Sequence, residues 1–356
     1  MPADPGFWAG KRVLLTGHAG FKGGWLAHWL GELGAEVTGL SLAPDQDPAL
    51  FDIAPPPGGS IIGDLRDPAV ARQAIQATAP QIVLHLAAQP LVRRSYRDPA
   101  ETWSANVMGT VNLLDALREA RDLSAILVIT SDKVYENDES GHAFAEDARL
   151  GGHDPYAASK AATELAVASY RRAFFAEQGV PLATARGGNV IGGGDFSEDR
   201  LVPDLVRAAR AGAAPVLRNP QATRPWQHVL DCLDGYLAYA QALATRQVPE
   251  ALNIGPHDPA DTQTVADLTR AVANALGLDE SWTLDTGPAP HEMAALALDP
   301  TRARQALGWQ GRLSSAQAIR LTADWYGAWM NGADMTRFTR DQIAAYQAGE
   351  PAEAPQ

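Results

Sequence analysis

Six short apolar runs in the first 190 residues alternate with helical patterns, and this alternation restricts what the chain can become more than any other feature. The runs are RVLLTG (12–17), EVTGLSL (36–42), SIIGDL (60–65), IVLHLA (82–87), AILVITS (125–131) and PLATARGGNV (181–190). Each is rich in Val, Ile, Leu or Ala, as expected of strands buried on both faces. Stretches such as WLAHWLGELG and NVMGTVNLLDALREA lie between them and read as helices. Alternation of this kind builds a parallel sheet covered by helices on both sides. The expected fold class is therefore α/β, a doubly wound parallel (Rossmann) sheet.

After about residue 192 the order changes. GGGDFSEDR and LRNPQATRPW read as loops around the helix VPDLVRAARAG, and ALNIG (251–255) reads as one more strand. The expected division is a sheet domain over 1–190 plus about 225–256, and a smaller interleaved domain over 191–224 and 257–345. Residues 346–356, ending AGEPAEAPQ, are expected to be a disordered tail.

The first strand runs into TGHAGFKG, with Gly17, Gly20 and Gly23 at G-x-x-G-x-x-G spacing. Glycines are needed where backbone turns sharply against a pyrophosphate whose charge meets the next helix's N-terminus. A glycine triplet alone is a weak signal, but strand before, helix after and α/β alternation throughout are the context that gives it meaning. His18 and Lys22 are unusual inside such a loop. They either point to solvent or approach the pyrophosphate and tune how tightly the cofactor is held. The second strand ends GLSLAPD, without the acidic residue that normally grips the adenosine ribose of NAD. Ser41 stands roughly there and no arginine waits nearby for a 2′-phosphate, so NAD is favoured over NADP. Asp64 is a candidate adenine contact, and Phe21, Leu65, Ala87 and Ala88 are expected along the same cofactor site.

Tyr156 and Lys160 in HDPYAASKAATELA are four residues apart and share one helix face, with Asp154 as N-cap and Pro155 at the first helical position. A nearby ammonium and a helix N-terminus both favour a phenolate, so the tyrosine is expected to be a base with a lowered pKa.

The 29 basic and 42 acidic side chains give a formal charge of −13. That balance argues against a sequence-independent nucleic-acid binder, which needs a basic face. A few arginines can still bind a diphosphate within an acidic protein. Cys232 is the only cysteine, so no intrachain disulfide or thiolate metal cluster is available, and it reads as a small buried residue on a helix. The eight histidines show no pair at helical ligand spacing, and no metal site is expected. No stretch approaches the ~20 apolar residues of a membrane span. The N-terminus lacks the layout of a signal peptide, so the chain reads as cytoplasmic.

TGHAGFKG, GDLRD, HLAAQPLVRRSY, NVMGTVNLLDA and DPYAASK resemble the extended short-chain dehydrogenase/reductase family over roughly residues 8–330. The resemblance implies an NAD(P)-binding domain, a nucleotide-sugar domain and a Ser/Thr–Tyr–Lys catalytic set carried by Ser131, Tyr156 and Lys160. Within the family, ITSDKVY, GGNVIGGGD, RLVPD and RNPQATRPWQHV resemble the branch that dehydrates CDP-glucose. Deoxysugars of bacterial surface polysaccharides such as O-antigen are the natural destination of that product.

A 4,6-dehydration needs a base for the C5 proton and an acid for the departing C6 hydroxyl. Asp132 is the candidate acid and Lys133 the candidate base, with Tyr135 or a water as alternatives. Lys133 departs from the Thr-Asp-Glu sequence of the dTDP-glucose dehydratases but agrees with the CDP-glucose branch. The bland alternative for the pair is a surface ion pair. By resemblance Arg224, Asn189 and His291 lie near the nucleotide diphosphate. Arg218 is a further diphosphate candidate, and Arg93 and Gln89 face the sugar. Trp226 reads as core. The helices around 103–120 and 157–178 carry apolar faces beyond what the sheet needs, and the family's equivalent helices form a four-helix bundle, so a homodimer is expected. Three rivals remain: a nucleotide-sugar 4-epimerase, a dehydratase for another nucleotide sugar, and a dinucleotide-sensing regulator without turnover.

Overall fold

The computed structural model describes residues 3–349 apart from Pro225, 259–260, Thr262, Leu278, Glu280, Thr286 and 288–295, and apart from the side chains of Arg224 and Ala275. Its centre is a sheet of seven strands: β1 (Arg12–Thr16), β2 (Glu36–Ser41), β3 (Gly59–Ile62), β4 (Ile82–His85), β5 (Ala125–Ile129), β6 (Leu182–Gly187) and β7 (Ala251–Ile254). Their order is β3-β2-β1-β4-β5-β6-β7, and every neighbouring pair is parallel.

Successive strand residues feed opposite cores, as the pleat requires. Val13 and Leu15 of β1, with Ile82 and Leu84 of β4, join Trp25, Trp29 and the helix Val229–Thr245 on one face. Leu14, Val83, Ile126 and Val128 join Leu113, Leu114, Leu117, Val167 and Phe175 on the other. Burial on both faces explains the continuous apolar runs, since neither side of a strand meets water.

The chain leaves the sheet after β6, and the run read as one strand over 181–190 is broken at Gly188–Asn189. Val190–Ile191 then pairs in parallel with Gln227–His228, which leads into the helix Val229–Thr245 and β7. The segments between and after build a smaller layer. Val216–Leu217 pairs with Thr283–Leu284, and Thr223–Arg224 with Gln263–Thr264. Ala297–Leu298 pairs with Ala143–Phe144, tying this layer back to the sheet domain.

The C-terminus differs from expectation. A helix runs from Met335 to Ala348, with Asp334 as N-cap and Gly349 as a left-handed C-cap. Tyr346, expected in a disordered tail, is buried, and its hydroxyl donates to Asp231 Oδ1 at 2.7 Å. The buried carboxylate and the ring's packing against Trp29 hold this last turn. Residues 350–356 lie outside the described residues. No described helix is long and apolar enough to cross a membrane.

Candidate active site

A cleft of 860 Å³ opens along the C-terminal ends of the strands, where ligands of doubly wound sheets bind. Its cofactor side starts at the turn after β1. Gly17 has φ +79, and a Cβ there would lie 2.8 Å from the Ala87 backbone nitrogen. A Cβ on Gly23 would fall 2.1 Å from the Gly17 carbonyl oxygen. Gly20 is the N-cap of the helix Phe21–Glu32. The loop thus lies flat against the exit of β4, with the helix N-terminus opening on the cleft. That cradle suits the pyrophosphate of a dinucleotide.

Phe21, Ser41, Asp64, Leu65, Ala87 and Ala88 all line the cleft. Ser41 Oγ accepts from the Ala19 N–H (3.3 Å) and donates to the Leu42 carbonyl (2.9 Å), so it also braces the loop. The guanidinium of Arg66 holds the Asp64 carboxyl below its usual range. The two unusual loop residues part company. Lys22 lines the cleft, its Nζ 5.8 Å from the Tyr236 ring centroid. The His18 ring is buried and turned towards β2 and β3, with Nε2 2.7 Å from Ser60 Oγ. It occupies the space left by Gly39, where a Cβ would lie 2.0 Å from His18 Cγ. The ring therefore points neither to solvent nor into the cleft, and burial lowers its pKa.

The residues expected to be catalytic stand on the segment that follows β5 and on the helix Pro155–Tyr170. Asp154 caps that helix, accepting from the Ala157 N–H at 2.9 Å, and Pro155 starts it. Tyr156 and Lys160 are both buried and both line the cleft. Lys160 Nζ donates to the Ile129 carbonyl at 3.2 Å. Burial, reinforced by the Lys22 ammonium, depresses it to about 8. Burial likewise pushes the Tyr156 phenol up to about 12, with a Ser131 hydrogen bond pulling the other way. The expected lowering of this tyrosine is thus reversed in the protein alone, because desolvation of the phenolate outweighs the favourable groups around it.

Ser131 caps the short turn Asp132–Val134, its Oγ accepting from the Lys133 N–H at 3.2 Å and donating to Asp132 Oδ1 at 2.9 Å. Lys133 Nζ lies 3.2 Å from that same oxygen. The Asp132 side chain is only 4% exposed. This is an ion pair on the cleft wall, not a solvated surface pair. Tyr135 is removed from the chemistry. It is buried outside the cleft lining, donates to Asn253 Oδ1 at 2.6 Å and accepts from Arg186 at 2.9 Å.

Gln89 lines the cleft, but its side chain braces the loop after β4. Its Nε2 donates to the Leu91 carbonyl and to Thr102 Oγ1, and its Oε1 accepts from the Leu91 N–H. The side-chain amide of this expected sugar contact is thus engaged by the Leu91 backbone and the Thr102 hydroxyl. Asn189, Arg93 and Arg218 also line the cleft. Asn189 Nδ2 is buried there without a hydrogen-bond partner among the described residues, a donor suited to a polar ligand. Trp226, expected in the core, packs against it while also lining the cleft. Arg224 belongs to the strand Thr223–Arg224, but its side chain lies outside the described residues, as does the whole of His291. Cys232 is fully buried on the helix Val229–Thr245.

Asp195, Asp199 and Arg200 are among the cleft residues that the sequence does not single out. Arg200 pairs with Asp195 at 3.2 Å, and its charge acts on Tyr156. Their stretch, DFSEDR, has the composition of a solvated loop.

The model of the NAD dependent epimerase/dehydratase family matches residues 13–255. The chain belongs to that family. NAD is accordingly its cofactor, and the protein is an enzyme of the extended short-chain dehydrogenase/reductase type. A CDP-glucose 4,6-dehydratase of Salmonella typhimurium is 43% identical over 97% of this chain and 98% of its own length. Among solved structures, a UDP-glucose 4-epimerase of Thermus thermophilus in complex with NAD has a TM-score of 0.76 and 27% identity, covering 88% of this chain and 98% of that one. A dTDP-glucose 4,6-dehydratase double mutant of Streptomyces venezuelae with NAD bound has a TM-score of 0.75 and 25% identity, covering 88% of this chain and 96% of the other.

Proposed function

We propose that this family member dehydrates CDP-D-glucose to CDP-4-dehydro-6-deoxy-D-glucose and water. The observation that carries the reading is the Asp132–Lys133 pair, walled into the cleft and joined through Ser131 to Tyr156. The full-length similarity to the Salmonella typhimurium dehydratase supports the choice of substrate.

Bound NAD supplies the hydride acceptor for C4 and the hydride returned to C6. Tyr156 takes the C4 hydroxyl proton, and Lys160 and Ser131 stabilise its phenolate. Once C4 is a ketone, the C5 proton is acidic. Lys133 takes it, and Asp132 protonates the C6 hydroxyl as it leaves. The pair is suited to both tasks because one proton passing from Nζ to the nearby Oδ1 creates a neutral base and a neutral acid together. Arg218, Arg224, Asn189 and His291 are assigned to the sugar diphosphate, and Arg93, expected at the sugar, joins them because it shares Asp199 Oδ1 with Arg218. The reading places the enzyme in the cytoplasm, where nucleotide sugars are made.

The test is incubation with NAD and CDP-glucose in deuterated water, followed by mass spectrometry. The expected product has lost one water and gained one solvent deuterium at C5. An unchanged mass with inversion at C4 would replace this reading with an epimerase. Turnover of dTDP- or UDP-glucose alone would overturn the nucleotide assignment and keep the elimination.

The same reading includes a homodimer. Trp103, Met108 and Leu165 are 42%, 50% and 64% exposed on the helical segments 99–108 and 155–170, the face expected to pair across a twofold. Sedimentation should give twice the chain mass of 37.8 kDa, and Leu165→Glu should shift it to the monomer. A monomeric wild type would refute the dimer.

A further inference from the structure

The cleft holds an arrangement that the chemistry above does not use. Asp199 stands on its wall with φ +58, in the left-handed region where aspartate is enriched among non-glycine residues. Its Oδ1 lies 3.0 Å from an Arg218 Nη and 3.5 Å from an Arg93 Nη. Its Oδ2 lies 3.7 Å from an Arg97 Nη. Arg93 and Arg97 belong to the short helix Val92–Arg97 after β4, whereas Arg218 follows the strand Val216–Leu217 of the smaller layer. One carboxylate therefore draws together guanidinium groups from both layers. Two outer acids share the load, Glu198 on Arg97 and Asp285 at 3.9 Å from Arg218.

Guanidinium groups crowded at one place repel one another, and an anion between them removes most of that cost. Arg93 and Arg218 both line the cleft while they share Asp199 Oδ1, and a guanidinium carries five N–H donors in a planar fork. A diphosphate is the ligand chemistry that takes several planar donors at once.

We propose that Asp199 is the positioning residue for the diphosphate of the nucleotide sugar, holding Arg93 and Arg218 at the spacing that pole requires. This rests on the nucleotide-sugar reading above. It adds a residue that acts through the arginines it holds.

The test uses Asp199→Asn and Asp199→Gly, since asparagine and glycine both keep a left-handed backbone while removing the charge. CDP is titrated by calorimetry into full-length protein saturated with NAD. Both variants are expected to bind CDP about tenfold more weakly and to show a raised KM for CDP-glucose with kcat within about twofold of wild type. NAD affinity and melting temperature should be unchanged, which a merely structural role would not allow. Unchanged or tighter CDP binding in the variants would overturn the proposal, the latter by showing that Asp199 competes with the ligand. Parallel loss of NAD and CDP binding would overturn it as well, by showing a general loosening of the fold. Failure of the wild type itself to bind CDP, UDP or dTDP would remove the nucleotide-sugar reading and this role with it, and that result is visible before any variant is made.

Discussion

Replacing Asp132 with asparagine is expected to stop the elimination while leaving the first oxidation intact. Loss of a positioned general acid typically costs about 10²–10⁴-fold, and here the loss falls on one step of three. Asparagine retains an oxygen to accept from Ser131 Oγ, so the turn that presents Lys133 should survive. The 4-keto sugar and reduced nicotinamide should then accumulate on the enzyme, visible as the ultraviolet band of NADH. Lys133→Met should give the same build-up and also abolish exchange of deuterium into C5. If Asp132→Asn kept turnover within about tenfold of wild type, the leaving hydroxyl would have another proton donor. If Lys133→Met still exchanged the C5 proton, the base would be another cleft residue or a water, since Tyr135 is held away by Asn253 and Arg186.

Lys160→Met is expected to lower activity by about 10²–10⁴-fold and yet make the protein more stable near neutrality. The ammonium is buried, and its pKa falls from 10.5 to about 8. Below pH 8 both folded and unfolded chains carry the charge, and the folded one bears the full desolvation cost. Between about 8 and 10.5 the unfolded chain still holds the proton while the folded chain releases it, so stability rises with pH across that window. Methionine removes the penalty altogether. The gain should be largest below pH 8, up to ~3 kcal/mol by linkage, and should fade towards pH 10.5. Denaturant titrations at neutral and alkaline pH measure it. A variant less stable than wild type at pH 7 would mean that the ammonium's contacts outweigh its burial. An active site that trades stability for function in this way is a familiar pattern.

Much of this architecture is legible in the sequence because the strands are apolar on both faces, and the places where the reading overshot are informative. IVLHLA was read as a strand to residue 87, but β4 ends at His85, and AILVITS to 131, but β5 ends at Ile129. In each case the surplus residues leave the sheet to form the cleft wall, as Ala87 and Ser131 do. Apolar character marks burial and does not mark the point where backbone pairing stops. Charged loops gave the opposite difficulty. Asp199 and Arg200 look solvated by composition, and only the fold brings the helix Val92–Arg97 and the return of the chain from Val216–Leu217 to Asp199 as partners. His18 and Gln89 were read for their chemistry, but their direction depends on a missing Cβ at Gly39 and a backbone amide at Leu91. The reversal at Tyr156 has the same origin, because depth of burial is a property of the whole fold and not of a four-residue spacing.

The excursion between β6 and β7 has a consequence for how the protein is made. The glycine loop, Ser131 and the Tyr156–Lys160 pair all lie before residue 190, but the sheet that supports them ends in a strand at 251–254, and the helix 229–245 that covers one face comes just before it. At ~5–20 residues per second of synthesis, the gap from 190 to 251 lasts roughly 3–12 seconds. During that interval a nascent chain exposes the open edge of β6 and the apolar underside of the sheet. Such a surface invites pairing with another chain. Chaperone demand in the cell should therefore peak while residues 190–254 leave the ribosome.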